Sequence, residues 1–391
     1  YGHPADGLRI VGVTGTNGKT TTVALIRHLL NAEGTVACVG TLGAQDGAGR
    51  FLEGRDTLTT PGTIELHNVL AELKERGTEA VVMEASSHAL DQRRLETLRL
   101  AAAVYTNLTH EHLDYHGDLQ RYRRAKLTLS ELLEAGGVEV VNRDEEAWRH
   151  LPEREGIRRV WWGRGSAVGA GADAVVLGAT GSRFTLALGG ERVAVELPLL
   201  GDFNVANALA AAATAWALGA SPATVARRLA EAPQVAGRME RLYAGDFVVL
   251  RDYAHTPDAL ERALAALRPL TQGRLVVLFG AGGDRDQSKR PLMGRVAAAG
   301  ADLAVVTSDN PRTEDPDRII DEIEAGMGEG SHLRITDRRA AIHQTLARLA
   351  PGDVLLLAGK GHETYQVVGT RRVPFDEREI VRDALGGGSG P

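Results

Sequence analysis

The sequence predicts an α/β protein made of two parallel-sheet domains, and three observations carry that prediction. Short β-branched runs alternate with helical patterns along most of the chain, which is the rhythm of βαβ units. Several of these runs end in polar residues, among them Thr14, Glu84, Asn107 and Asn142. The first run passes through a Gly/Thr-rich turn straight into a helix.

Taken in order, the strands expected in the first half are Ile10–Val13, Val36–Gly40, Ala80–Glu84, Ala102–Thr106 and Val138–Asn142. Between about Gly163 and Pro198 the pattern changes to short alternating runs (174–177, 183–188, 192–197) separated by glycines, which predicts a small antiparallel patch. An Ala-rich helix over 204–218 follows. The segment Pro233–Arg238 has turn residues and no clear periodicity, so a domain boundary falls there. Beyond it, strands at 247–251, 275–280, 303–307, 332–335 and 354–358 alternate with helices at 258–267, 289–299, 318–327 and 338–349, a second, Rossmann-like α/β domain. The expected division is 1–236, 237–385, and a flexible Gly-rich tail over 386–391.

The bulk numbers fit this plan. A chain of 391 residues with 43% hydrophobic content can bury two cores. Its net charge of −6 supplies no global field for nucleic acid or an anionic membrane. The single cysteine, Cys38, excludes an internal disulfide and fits a reducing compartment. With no basic-then-apolar leader and no run long enough to span a bilayer, a cytoplasmic monomer is expected.

The stretch Leu8–Ile26 reads as strand, phosphate loop and helix. A polyphosphate needs inward-pointing N–H groups, a helix N-terminus, one long cation and a hydroxyl for magnesium. Gly15, Thr16, Asn17, Gly18, Lys19, Thr20 and Thr21 supply these in sequence. The strict pattern asks for glycine at position 13, where Val13 stands, so this is a variant loop. A glycine-rich turn without a ligand is the bland alternative.

Glu84 ends a strand that would neighbour this loop, where it either ligates magnesium or caps the next helix. The run Thr106–Gly117 gathers His110, His112 and His116 with Glu111 and Asp114. Zinc is one candidate there, but His110 and His112 are wrongly spaced and no cysteine is near. Magnesium fits better, with structural roles for His110 and His116 as the alternative. Asp252 and His255 follow a strand of the second domain and suit ribose and base contacts, whereas Thr256 and Asp258 read as helix caps. Three further loops follow strands there, bearing Arg285, Asn310, Arg312 and Glu363. Together they suit a ligand with both carboxylate and ammonium groups.

The motifs Gly15–Thr20, Glu84–His88, His112–Gly117, Gly201–Asn207, Asp252–Pro257 and Asp309–Arg312 closely resemble the Mur ligases, in order and spacing, over nearly the whole chain. The likeness is greatest to those that add the third amino acid of the peptidoglycan stem peptide. It implies ATP-dependent joining of UDP-N-acetylmuramoyl-L-alanyl-D-glutamate to a diamino acid through an acyl phosphate. By the same resemblance, residues 15–21 hold ATP phosphates, and Thr20, Glu84, His112 and Lys126 serve two Mg2+ ions, with Lys126 carrying CO2 as a carbamate. Composition alone would leave Lys126 a solvated helix lysine. Asn204, Asn207, Asp252 and His255 correspond to adenosine contacts. Thr59, Thr60, Ser86, Gln92 and Arg94 correspond to the muramoyl-dipeptide site, and Arg285, Asp309, Asn310, Pro311, Arg312, Gly359 and Glu363 to the amino-acid site.

The resemblance also implies closure of the two halves about a hinge near Gly237. Two departures stand out: the chain starts about where the family's central domain starts, so the domain gripping the uridine end is expected to be absent, and Glu111 replaces a common aspartate. Asp309-Asn310-Pro311-Arg312 favours meso-diaminopimelate, with Arg312 on its distal carboxylate; lysine and ornithine are the alternatives. A folylpolyglutamate-synthase-like ligase and a non-catalytic nucleotide-binding scaffold are the competing classes.

Overall fold

The computed structural model describes residues 2–32, 34–53, 58–165, 169–328 and 332–386. The chain packs as two compact units divided between Pro233 and Gln234. Residues 387–391 of the expected tail lie outside the described residues.

The first unit runs β1 (Arg9–Thr14), α1 (Lys19–Leu30), β2 (Val36–Gly40), β3 (Gly43–Gln45), α2 (Thr63–Glu75), β4 (Ala80–Glu84), α3 (Ser87–Asp91), β5 (Leu100–Tyr105), α4 (Leu113–His116), α5 (Leu119–Leu127), β6 (Leu133–Asn142), β7 (Arg158–Arg164), β8 (Ala170–Gly178), β9 (Gly181–Leu188), β10 (Glu191–Leu197), α6 (Asp202–Ala217) and α7 (Pro222–Ala230). Its strands form one sheet in the order β10-β9-β8-β7-β6-β5-β1-β4-β2-β3. The centre is parallel, β3 turns back on β2, and β8 to β10 are antiparallel to one another. The central strands are continuous apolar runs because cores lie on both faces of the sheet. α6, rich in alanine and buried almost all round, can press close to α1 and the sheet for want of bulky side chains.

The antiparallel region is an extension of the same sheet. β7, which the sequence pattern does not reveal, joins the two parts: it pairs in parallel with β6 on one side and β8 on the other. Its opening Arg158-Arg159 and bulky Trp161-Trp162 mask the period of a strand. Parallel register sets Val13 beside Glu84 and Thr14 beside Tyr105, so the carboxyl ends of β1, β4 and β5 open side by side. That is where ligands bind in open α/β sheets.

The second unit runs β11 (Glu240–Ala244), β12 (Val248–Asp252), α8 (Pro257–Leu267), β13 (Leu275–Phe279), α9 (Lys289–Gly300), β14 (Leu303–Val306), α10 (Pro316–Glu324), β15 (His332–Arg334), α11 (Arg338–Leu346), β16 (Val354–Ala358), β17 (Tyr365–Val368), β18 (Arg371–Pro374) and α12 (Glu377–Ala384). Its main sheet has the order β11-β12-β16-β13-β14-β15, parallel except at β11. Gly237 is packed inside this unit, since a Cβ there would lie 2.2 Å from the His362 N, so it is no slack linker. The hairpin β17–β18 went unpredicted. It hydrogen-bonds to the loop after β14 through Arg312 N to Val367 O at 3.1 Å and Gly369 N to Arg312 O at 2.7 Å. Among the described residues, no helix is long and apolar enough to cross a membrane.

Candidate active site

The turn between β1 and α1 is held in shape by its two glycines and by its neighbours. Gly15 has φ 149°, and a Cβ there would lie 1.8 Å from Thr106 Oγ1; Gly18 caps α1 at φ 83°, with Asn207 Oδ1 2.3 Å from a Cβ. Only glycine fits both places. The loop after β5 braces the turn: Thr16 N donates to Asn107 O at 2.8 Å, Asn17 N to Asn107 Oδ1 at 2.9 Å, and Thr106 Oγ1 to Asn17 O at 2.8 Å. Lys19 folds back over the turn, its Nζ donating to Gly15 O at 2.9 Å and Thr16 O at 2.6 Å. Thr20 and Thr21 are buried in the first turn of α1.

Glu84 closes β4 with its side chain buried and receives Thr41 N on Oε1 at 2.8 Å and Thr41 Oγ1 on Oε2 at 3.2 Å. It does not cap α3, a job done by Ser86, whose Oγ accepts from Ala89 N. Thr59 joins through the Thr41 hydroxyl at 3.1 Å, and Thr60 donates to Glu84 O at 2.7 Å. Arg94 extends this edge, donating to Thr60 O at 2.9 Å and holding Gln92 Oε1 with two nitrogens. Gln92 in turn donates to the Tyr115 hydroxyl, and that hydroxyl donates to Asp91. Tyr115 was not singled out from sequence; its place one turn after His112 is the signal that could have found it.

Lys126 is 1% exposed, and its Nζ donates to Gly15 O at 2.8 Å while lying 4.4 Å from the Tyr122 ring centre. Burial first, and then the charge of Lys19, hold its amine well below the usual lysine range. The solvated reading of this lysine is therefore wrong: on α5, Tyr122, Ala125 and Lys126 share the buried face. His112 caps α4 in left-handed conformation and packs edge-on against His88 at 4.8 Å. Burial keeps the imidazoles of His88, His112 and His116 below their ordinary values. Among the described residues no group of three or more His, Cys, Asp and Glu could hold a metal ion. The Thr20 hydroxyl and the Glu84 carboxylate are oxygen donors of the kind magnesium takes alongside phosphate and water.

Asn204 and Asn207 project from α6 within the first unit, joined at 3.0 Å and both buried. Asp252 and His255 belong to the second. There Asp252 receives Met239 N at 2.7 Å and Ala254 N at 2.9 Å, and burial raises its carboxyl above the usual range. His255 lies against the Tyr253 ring at 4.5 Å.

In the second unit the loops after β13, β14 and β16 meet. A Cβ at Gly282 would lie 2.9 Å from Arg312 Nη1 and 3.7 Å from Arg285 Cγ, so the Arg312 guanidinium and the Arg285 stem both lie against Gly282. Arg312 has φ 52° and donates to Gly283 O at 2.7 Å. Asp309 and Asn310 are buried, Gly359 approaches so closely that a Cβ would lie 2.5 Å from Asp309 Oδ2, and Asn310 Nδ2 donates to Glu363 at 2.9 Å. Pro311 carries the chain from Asn310 into Arg312 and accepts from Glu314 N at 3.1 Å.

Behind these loops, the fully buried Arg290 holds Glu314 through two bonds of 2.8 and 2.9 Å and Glu322 through one of 2.8 Å. Arg290 takes the Glu314 carboxyl from the ordinary 4.5 down to about 2. A carboxyl depressed by folding contributes stability that is complete above its unfolded value and is lost as pH falls towards its folded one. Thermal melting of the protein should therefore weaken between pH 4.5 and about 2 in part through this group. Glu314→Gln should melt lower at neutral pH and show a flatter acid limb; an unchanged limb would exclude this clamp as a source of acid sensitivity.

Comparison with known proteins agrees with this architecture. Sequence models of the Mur ligase middle domain and of the Mur ligase glutamate ligase domain match residues 13–215 and 237–361. The UDP-N-acetylmuramoyl-L-alanyl-D-glutamate–2,6-diaminopimelate ligase of Gloeobacter violaceus is 45% identical, over 98% of this chain and 78% of its own. A solved structure of a ligase of the same description superposes with a TM-score of 0.68 at 35% identity, covering 97% of this chain and 78% of the other. Folylpolyglutamate synthase from Thermotoga maritima shares the fold with a TM-score of 0.70, but at 16% identity, over 92% of this chain and 87% of its own. Two domain matches in the same order as the two compact units, and a relative aligned along almost the entire sequence, show that the chain belongs to the Mur ligase family.

Proposed function

We propose that this Mur ligase joins meso-2,6-diaminopimelate to UDP-N-acetylmuramoyl-L-alanyl-D-glutamate at the expense of ATP, forming ADP and phosphate in peptidoglycan precursor synthesis. The Arg312 guanidinium packed against Gly282 beside the Arg285 stem, in the unit that also holds Asn310 and Glu363, carries this reading. Diaminopimelate offers carboxylates to the guanidinium forks and an ammonium to Glu363.

In the first unit, residues 15–21 with Lys19 would grip the ATP phosphates, and Asn204 and Asn207 would be adenosine contacts; in the second unit, Asp252 and His255 are the adenosine contacts that the family resemblance implies. Thr59, Thr60, Ser86, Gln92 and Arg94 would hold the muramoyl dipeptide. A γ-carboxylate oxygen of D-glutamate attacks the γ-phosphorus and ADP leaves; the amine of diaminopimelate then attacks the acyl carbon, and phosphate departs with that oxygen. Lys19 meets negative charge building on the phosphoryl oxygens. Thr20, Glu84, His112 and Lys126 would hold two magnesium ions, which supply further charge neutralisation when bound.

Lys126 as a bare ammonium would repel those ions. Its amine, disfavoured in the charged form by burial, suits addition of CO2 at Nζ: an N–C bond forms, a proton leaves and an anionic carbamate remains. A cytoplasmic monomer fits an enzyme fed by ATP and a nucleotide-linked precursor. Phosphate release from ATP with the muramoyl dipeptide should depend on meso-diaminopimelate and stay at background with lysine, ornithine or glutamate. Preference for lysine or ornithine would overturn the role of Arg312, and preference for glutamate would favour a folylpolyglutamate-synthase-like reading.

A further inference from the structure

Lys360 takes no part in the scheme above, yet it is a fully enclosed cation beside the amino-acid loops. It sits between Gly359 and Gly361 after β16, and its side chain is fully buried. An isolated buried ammonium would be costly, and this one is compensated by two contacts. Its Nζ donates to Asn310 Oδ1 at 3.0 Å and to Glu363 Oε2 at 3.0 Å.

These bonds fix two side chains at once. Asn310 Oδ1 accepts from both Lys360 Nζ and Val367 N, the latter at 2.9 Å, so the amide can only present its Nδ2 to Glu363. Glu363 Oε2 is then fully engaged by Lys360 and Asn310. Among the described residues its other oxygen, Oε1, accepts no hydrogen bond, and the side chain is 17% exposed. One carboxylate oxygen is clamped and the other is left for a ligand.

We infer that Lys360 is a positioning residue for the diamino acid: it holds Glu363 and Asn310 so that Glu363 Oε1 meets the ligand ammonium in a single geometry. The inference rests on the assignment of Glu363 to the diaminopimelate ammonium. Lys360 also offsets the charge of Glu363, so that side chain does not act as an unbalanced anion that would trap any cation. Without Lys360, Glu363 Oε2 keeps only the Asn310 amide and Asn310 Oδ1 keeps only Val367 N, so both side chains are less firmly set.

Lys360→Met tests this in the full chain, by steady-state phosphate release with each substrate varied in turn. The KM for meso-diaminopimelate should rise by roughly tenfold or more, with the KM values for ATP and the muramoyl dipeptide unchanged. The same substitution in a Glu363→Gln background should add less than about twofold, because Lys360 acts through Glu363. Lys360→Arg, which keeps the cation, should recover part of the loss. Should the methionine variant melt below assay temperature, Lys360→Gln, neutral but still a donor, carries the same comparison. An unchanged KM for diaminopimelate, or a full multiplicative effect in the Glu363→Gln background, would overturn the inference. Wild-type protein with no diaminopimelate-dependent phosphate release would instead remove the assignment beneath it.

Discussion

Lys126→Ala is expected to cut ligation by about 10²–10³-fold, the range seen when one preorganised charge-stabilising group is lost from an active site. The ground is local. Lys126 is buried, its Nζ donates to the carbonyl of Gly15 in the phosphate loop, and burial together with Lys19 disfavours its ammonium form. An amine whose charged form is disfavoured beside a phosphate loop is suited to carbamate formation, and the carbamate would be an oxygen donor for magnesium. The wild-type enzyme should accordingly lose activity when depleted of CO2 and recover it with bicarbonate, whereas Lys126→Ala should respond to neither treatment. Full activity in the alanine variant would remove Lys126 from the chemistry.

Arg312→Lys should lower kcat/KM for meso-diaminopimelate by about 10²-fold, although the charge is kept. Arg312 occupies a left-handed backbone position that arginine adopts only when its surroundings impose it. Hydrogen bonds to Val367 and Gly369 of the β17–β18 hairpin impose it here, and Gly283 O takes one Nη. The planar fork is thereby aimed with a donor edge to spare. A lysine ammonium cannot offer two parallel bonds to a carboxylate from that position. The KM values for ATP and the muramoyl dipeptide should change little, which separates lost recognition from a damaged fold.

What could be read from sequence depends on how locally the chemistry is written. The phosphate loop is legible because its parts are consecutive and because the strand before it and the helix after it have clean periods. The neighbourhood of Glu84 and Asn107 follows from the rule that parallel strands open at their carboxyl ends. Lys126 is illegible to composition: α5 is strongly polar, and only the i, i+3, i+4 grouping of Tyr122, Ala125 and Lys126 hints that it has an inner face. The resemblance to a family, and not the helix pattern, drew attention to it.

The second unit shows the same limit. Arg285 and Arg312 stand out as loop cations, but that both side chains pack against Gly282 needs the order of β13, β14 and β16 in space. Lys360 and Arg290 look like ordinary surface cations between glycines or at a helix start, and both prove to be buried anchors. The β17–β18 hairpin could have been found from the alternation around Gly369-Thr370. It lay beyond the last apolar strand, where the αβ rhythm ends.

Transfer of oxygen from carboxylate to phosphate tests the central claim most directly. With 18O in the D-glutamyl γ-carboxylate, and ATP, magnesium and meso-diaminopimelate present, mass spectrometry should find one 18O in the released phosphate. The amide product should retain one 18O and gain the mass of diaminopimelate less water. Phosphate free of 18O, or ATP cleavage without that product, would contradict an acyl-phosphate ligase.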